Sequence, residues 1–238
     1  MEATKTIGVI GGMGPLASAD LFRKLVVLEK CEKDQDHVRI IVDCASNIPD
    51  RASAIYSDAE SPVPGIVRCA IGLERSGADV LIMACNIAHY FYNDILHYTA
   101  VPFLSIVEET AKAIEAQNFA SVGILAAKAT IDTGVYESAL QRRGIRHLYP
   151  GKSNQELVQQ TINDVKAGKS ATDLGGMSQA VNDLKAAGAQ ALILANTELP
   201  VAFDLFSIPC DIPLVDPTTE LAKSALRFLD RRVKERTQ

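Results

Sequence analysis

The stretch LERSGADVLIMACNIAH, residues 73–89, lies on LKAAGAQALILANTELP, residues 184–200, without a gap, setting Leu73 over Leu184, Gly77 over Gly188 and Cys85 over Asn196. The same shift of 111 residues, the distance from Cys85 to Asn196, superposes VPFLSIVEETAKA (101–113) on IPLVDPTTELAKS (212–224) and aligns Pro102 with Pro213. IGVIGGMGPLASADLF (7–22) pairs with VGILAAKATIDTGVYE (122–137) at a shift of 115. Order is kept while loop lengths differ, so the chain reads as two copies of one structural unit.

Within the first copy, β-branched apolar runs alternate with amphipathic segments: TIGVIGG, SADLFRKLVVLEK, VRIIVDC, GIVRCAIGLERSG, ADVLIMAC. That alternation makes the fold class α/β, with two pseudo-symmetric domains each built on a parallel sheet. The predicted boundaries give a first domain of residues 1–106 plus 216–238, the last helix returning to the first half, and a second domain of residues 107–215. Ligands in open parallel sheets bind beyond the carboxyl ends of the strands. The runs ending in Cys85 and Asn196 are such ends, so these residues are expected on opposite walls of one active site in the cleft between the domains.

Composition removes several function classes. The formal net charge is −5 and the pI near 5.4, and no basic stripe is available to displace counterions from a polyanion, which argues against nucleic acid as a partner. No apolar run approaches the ~20 residues that span a bilayer. MEATKTIGVIGG has neither an apolar signal core nor a cleavage site, so no membrane partner and a cytoplasmic location are expected. The five cysteines (Cys31, Cys44, Cys69, Cys85, Cys210) are widely spaced and form neither a CxxC nor a Cys/His zinc pattern, which leaves disulfides and structural zinc unsupported.

Cys85 stands where an apolar strand runs out and a helix is predicted to start near Asn86. Such a thiol is either a buried packing residue or a thiolate favoured by the helix dipole and backbone N–H groups, which lower its pKa from ~8.5. Asn196 is a strong capping residue type at a position that opens a helix. GGMGPLA fits GxGxxA after a strand, with Asp43 at the end of the next strand, so a dinucleotide site is a rival reading. Its repeat partner AAKAT lacks the glycines, and Pro15 suits a first helical turn, leaving a loop that offers N–H groups to a carboxylate. Arg51, in NIPDRAS, carries a planar fork that grips carboxylates at two points, or is a solvated loop arginine. Asn86, Thr130 and Thr197 are polar groups at strand-to-helix junctions, able to hold a carboxylate or ammonium or to cap. Glu198 falls in the first turn of a helix, where an acid complements the dipole. His89 either orients the Cys85 region by hydrogen bonding or is a satisfied structural histidine. The tail LRFLDRRVKERTQ reads as an amphipathic helix with a solvated basic face.

GGMGP (11–15), NIPDR (47–51), ACNxAH (84–89), TIDTGVY (130–136), VKAG (165–168) and TELP (197–200) follow one another along the chain. With these motifs the sequence resembles the aspartate/glutamate racemase superfamily, and within it the aspartate racemases, over essentially its whole length. The resemblance implies two pseudo-symmetric α/β domains, no pyridoxal phosphate or other cofactor, no metal, a homodimer, and two cysteines that carry protons on opposite faces of a small acidic amino acid's α-carbon. It makes Cys85 one of them and assigns Met13, Arg51, Asn86, Ile87, Thr130, Lys166, Thr197 and Glu198 to substrate binding, with Lys166 directed at the substrate side chain. The plain reading of Lys166 is a cation favoured at a helix end just before a glycine. Inversion through a planar carbanion needs one group to remove a proton from one face and another to return it from the other, both with pKa values near the working pH.

Two positions depart from the family. Its second motif reads GCTE where this chain has ANTE, so Asn196 holds the second thiol's place, and its threonine after Cys-Asn is Ile87 here. An amide cannot serve as that base. Asn196 is then an introduced change that stops turnover, or the mark of a natural one-thiol enzyme, or a sign that chemistry is lost. The leading expectation is a PLP-independent racemase of aspartate or glutamate, impaired for want of the second thiol, with Cys85 as the surviving acid/base. The alternatives are a one-cysteine decarboxylase or isomerase of a small dicarboxylate, and a non-catalytic acidic amino-acid-binding protein. Glu198, two residues past the gap, is a substitute candidate for the base.

Overall fold

The computed structural model describes residues 5–168 and 174–234. The chain divides into two compact units, Met1–Glu109 with Thr218–Gln238, and Thr110–Pro217. In the first, strands β1 (Thr6–Gly11), β2 (Arg39–Cys44), β3 (Val80–Met83) and β4 (Phe103–Leu104) form a parallel sheet in the order β2-β1-β3-β4. In the second, β5 (Ser121–Leu125), β6 (Arg146–Leu148), β7 (Ala191–Leu194) and β8 (Leu214–Val215) form a parallel sheet in the order β6-β5-β7-β8. The fold is α/β, as expected. The central strands β1, β3 and β7 are buried along their whole length, which is why their sequences are continuous apolar runs instead of alternating ones.

The internal repeat extends to individual contacts. Leu81 N–H donates to Pro102 O at 2.8 Å and Leu192 N–H to Pro213 O at 2.9 Å, each pair related by the shift found in the sequence. Past the strand ends, Ala84 N–H donates to Ile10 O at 3.1 Å and Ala195 N–H to Leu125 O at 2.8 Å. Gly8 and Gly123 are equivalent and lack a side chain for the same reason: a Cβ would lie 2.8 Å from Leu81 Cδ2 in one and 2.6 Å from Leu192 Cδ2 in the other.

The β1 end is shaped by close approach. Gly12 has φ +88°, and a Cβ there would fall 2.4 Å from the Ala45 carbonyl carbon, so only glycine fits beside the loop that follows β2. The helix Pro15–Leu28 then starts with Gly14 at its cap and proline in the first turn, burying Ala17, Leu21, Leu25 and Leu28.

The C-terminal tail differs from the sequence expectation. The last helix, Pro217–Phe228, stops there; Asp230 takes φ +60°, and the chain continues extended, with Val233 bridged to Glu29. The helix closes locally, Arg231 N–H donating to Leu226 O at 2.9 Å around the left-handed Asp230, and the chain beyond it is anchored by a buried acid far away in sequence. Glu29, 2 % exposed, accepts from Arg231 Nε and from Val38 N–H at 3.0 Å, with His37 Nδ1 also at 3.0 Å. Glu29, Cys31 and His37 offer metal-type ligand atoms within 4.8 Å of one another, but the Arg231 guanidinium bonds both Glu29 and Cys31, so the cluster is an ion-pair latch. Among the described residues no helix is long and apolar enough to cross a membrane.

Candidate active site

In both sheets the first strand is central and the chain crosses it between the second and third strands, so connections diverge between β1 and β3, and between β5 and β7. Crevices beyond the carboxyl ends at such switch points are where open parallel sheets take ligands. In the first unit that position carries Met13 after β1 and Cys85, Asn86 and Ile87 after β3. Met13 and Cys85 are buried in one apolar cluster with Ile10 and Met83, and Ile87 packs against it.

Cys85, 4 % exposed, is held by its own backbone, its N–H donating to Met83 O at 2.9 Å. Its carbonyl accepts from His89 Nδ1 at 2.8 Å, while His89 Nε2 accepts from Ile106 N–H at 3.1 Å. A carbonyl on one side and an N–H on the other leave a neutral ring with its proton on Nδ1. Burial pushes the His89 pKa down to about 4, against a smaller raising effect of the Cys85 carbonyl.

This bond also corrects the helix expected at Asn86. An α-helix would give the Cys85 carbonyl to the backbone N–H four residues on. Here the imidazole takes it, His89 N–H goes to Asn86 O at 3.1 Å, and the segment Ile87–Phe91 winds as a 3₁₀ turn before the short helix Tyr92–Leu96. So short an element supplies little dipole to the thiol. Asn86 sits at the cap position without a side-chain cap bond.

Arg51 opens the helix Arg51–Tyr56, with Asp50 capping it through Ser53 N–H at 2.7 Å. Its guanidinium reaches back to the carbonyls of Pro49 (3.1 Å), Ile48 (3.4 Å) and Met13 (3.5 Å), while its buried Nε meets no partner among the described residues. The fork is thus aimed at the β1 loop with its Nε donor unused. The glycine loop is less open than a dinucleotide would need. Gly12 N–H is spent on Ser18 Oγ at 2.9 Å, and Asp43, the acid for a ribose, accepts the Cys69 thiol, whose pKa is pushed up to about 12 by burial and by that carboxylate.

In the second unit Asn196 occupies the place of Cys85, directly after Ala195. Its Oδ1 accepts Glu198 N–H at 3.0 Å and its carbonyl accepts Leu199 N–H at 3.0 Å, so it caps the helix Glu198–Phe206. Thr197, formally at the cap position, makes no cap bond; its Oγ1 lies 3.2 Å from Glu198 Oε2, and both residues are buried. Thr130 is not at a junction but inside the short helix Lys128–Asp132, buried after β5. Lys166 ends the helix Lys152–Lys166 and is exposed there, where the helix dipole alone accounts for a cation at a C-terminus. The same helix braces the loop after β5, Gln155 donating to Ala126 O at 2.8 Å and Gln159 accepting Lys128 N–H at 2.9 Å. Sequence reading missed those two glutamines and Ser18; their partners are backbone groups, which no motif marks.

A profile of the family described as Asp/Glu/Hydantoin racemase matches residues 10–225. The chain belongs to that family. It is a family of isomerases, and relatives across it are named amino-acid, aspartate and glutamate racemases. The chain is 28 % identical over 228 residues to the broad specificity amino-acid racemase RacX of Bacillus subtilis, covering 92 % of this chain and 96 % of RacX. Among solved structures it is similar to the Picrophilus torridus aspartate racemase, with a TM-score of 0.86, 31 % identity, and 97 % and 96 % of the two chains covered. Similarity of fold alone extends to the glutamate racemase of Francisella tularensis bound to D-glutamate, at a TM-score of 0.67 and 19 % identity over 95 % of this chain and 81 % of that one.

Proposed function

We propose that the protein acts on a small acidic amino acid, aspartate before glutamate, removing and returning the α-proton with Cys85, and that the missing second thiol confines it to one face. The observation that carries this reading is the equivalence of Cys85 and Asn196: each follows an alanine whose N–H closes onto the first strand of its own sheet, at 3.1 and 2.8 Å. Inversion needs an acid/base for each face of the α-carbon, and of these two equivalent positions only Cys85 carries a side chain able to exchange a proton.

The chemistry is a proton taken off and returned by one group. The Cys85 thiolate takes the α-hydrogen, the electron pair of the breaking C–H bond stays on the α-carbon and delocalises into the carboxylate, and the thiol so formed returns its proton to the same face. The unused Nε donor of Arg51 suits a substrate carboxylate. Aspartate is favoured by the 31 % identical aspartate racemase, while the breadth in the RacX name argues for testing other amino acids. A cytoplasmic setting, a homodimer and substrate contacts from Met13, Asn86, Ile87, Thr130, Lys166, Thr197 and Glu198 belong to the same reading through the family resemblance. The relatives named above are racemases and favour neither the decarboxylase nor the binding-protein reading.

Asn196→Cys tests the proposal. Supplying the second acid/base is expected to raise aspartate racemisation by about 100-fold or more, at about 1 kcal/mol of stability for the lost cap. Adding Cys85→Ser should abolish the gain. A folded Asn196→Cys protein no faster than the native one would overturn the reading.

A further inference from the structure

We propose that His89 is a positioning residue, a two-armed clip that fixes the Cys85 backbone to the head of the helix Ile106–Ala116 and so sets the direction of the thiol; the functional half of this rests on Cys85 being the acid/base. The arms are the 2.8 Å bond to Cys85 O and the 3.1 Å bond from Ile106 N–H. The ring itself is held from the side. It stacks on Tyr92 with centroids 5.5 Å apart and an interplanar angle of 17°, Tyr92 packs edge-on against Phe103 at 5.2 Å, and the Tyr92 hydroxyl donates to Phe103 O. With the Cys85 N–H also bound, to Met83 O, both backbone groups of the residue are fixed and the sulfur keeps one rotatable bond.

The repeat supplies an internal comparison that separates this from ordinary packing. At the shift of 111 that maps Cys85 onto Asn196, His89 falls on Pro200 and Ile106 on Pro217. One proline removes the imidazole and the other removes the N–H it accepts from, so both ends of the clip are missing together in the half whose strand end carries an amide in place of the thiol. There the strand-end residue is held by its own side chain, Asn196 Oδ1 on Glu198 N–H, a device a cysteine cannot use. A thiol at this place takes its backbone support from another residue. Neutral His89 provides that support through its two hydrogen bonds alone, in keeping with a ring whose pKa burial lowers to about 4.

Two variants divide the arms. In His89→Asn the amide nitrogen replaces Nδ1 as donor to the Cys85 carbonyl; in His89→Gln the longer side chain replaces Nε2 as acceptor for Ile106 N–H and loses the Cys85 bond. The readout is the rate of Cys85 alkylation by iodoacetamide across pH, followed by peptide mass spectrometry with Cys31 and Cys44 as internal references. His89→Gln is expected to shift the Cys85 rate at least about fivefold and His89→Asn less than about twofold, with the references unchanged. Equal effects of the two variants, or none, would overturn the clip. Nitrogen NMR of the native protein needs no variant: a proton on Nδ1 with bare Nε2 is expected at neutral pH, and a proton on Nε2 overturns the proposal. Since neither readout uses turnover, an inactive native enzyme would count against the proton-transfer role of Cys85 and leave the clip decided on its own terms.

Discussion

A neutral histidine buried against a backbone carbonyl has a consequence for stability that depends on pH. The folded pKa of His89, about 4, lies below the ordinary 6.5 because burial penalises the imidazolium. The unfolded chain therefore takes up a proton that the folded chain refuses as pH falls from 6.5 toward 4. Its contribution is complete above 6.5 and is lost through that window, by up to about 3 kcal/mol. Urea midpoints measured from pH 7 to pH 4 should fall more steeply for the native protein than for His89→Asn; parallel curves would mean His89 is not buried neutral. The place of Cys85 just past a strand end was legible in the sequence because an apolar run stops there. His89 was legible as a group that orients the Cys85 region or as a structural histidine; its bond from Ile106 was not, because that partner is a backbone amide 17 residues on, and a backbone group carries no signature in sequence. Asn196 was legible as a cap in type, while its acceptor role toward Glu198 N–H required the turn itself.

Elements were read well where their own residues determine them and badly where a turn or a distant residue intervenes. The buried runs of β1, β3, β5 and β7 have no other low-energy use than parallel strands, and sequence placed them. The tail misled because LRFLDRRVKER has helical spacing; the helix closes at a left-handed Asp230, and Arg231 then pairs with Glu29, 202 residues away, while residues 235–238 lie outside the described residues. That latch is testable at its own scale. Arg231→Ala leaves a buried carboxylate without its cation and should cost about 2–4 kcal/mol. It should also remove hydrogen-exchange protection from Lys30 and Lys234, whose N–H groups bond Arg232 O and Leu28 O at 2.9 and 2.8 Å. Unchanged protection at both amides would show that the tail is held by something other than the ion pair.

Across the whole molecule the duplication explains both the fold and its chemical asymmetry. Two units with one strand order, matched strand-end bonds and matched glycines at residues 8 and 123 present equivalent positions at their third strands. In the proposed chemistry, inversion needs an acid/base for each face of one carbon. This chain keeps a thiol with an external clip in the first unit and a self-capping amide in the second, so it should move protons without inverting configuration. Proton NMR of L- and D-aspartate held with the native protein in D2O tests this most directly. The expected result is that one enantiomer loses its α-proton signal, gains deuterium with its configuration retained, and does neither with Cys85→Ser. Inversion as fast as exchange, exchange that survives Cys85→Ser, or no exchange of either enantiomer would contradict it.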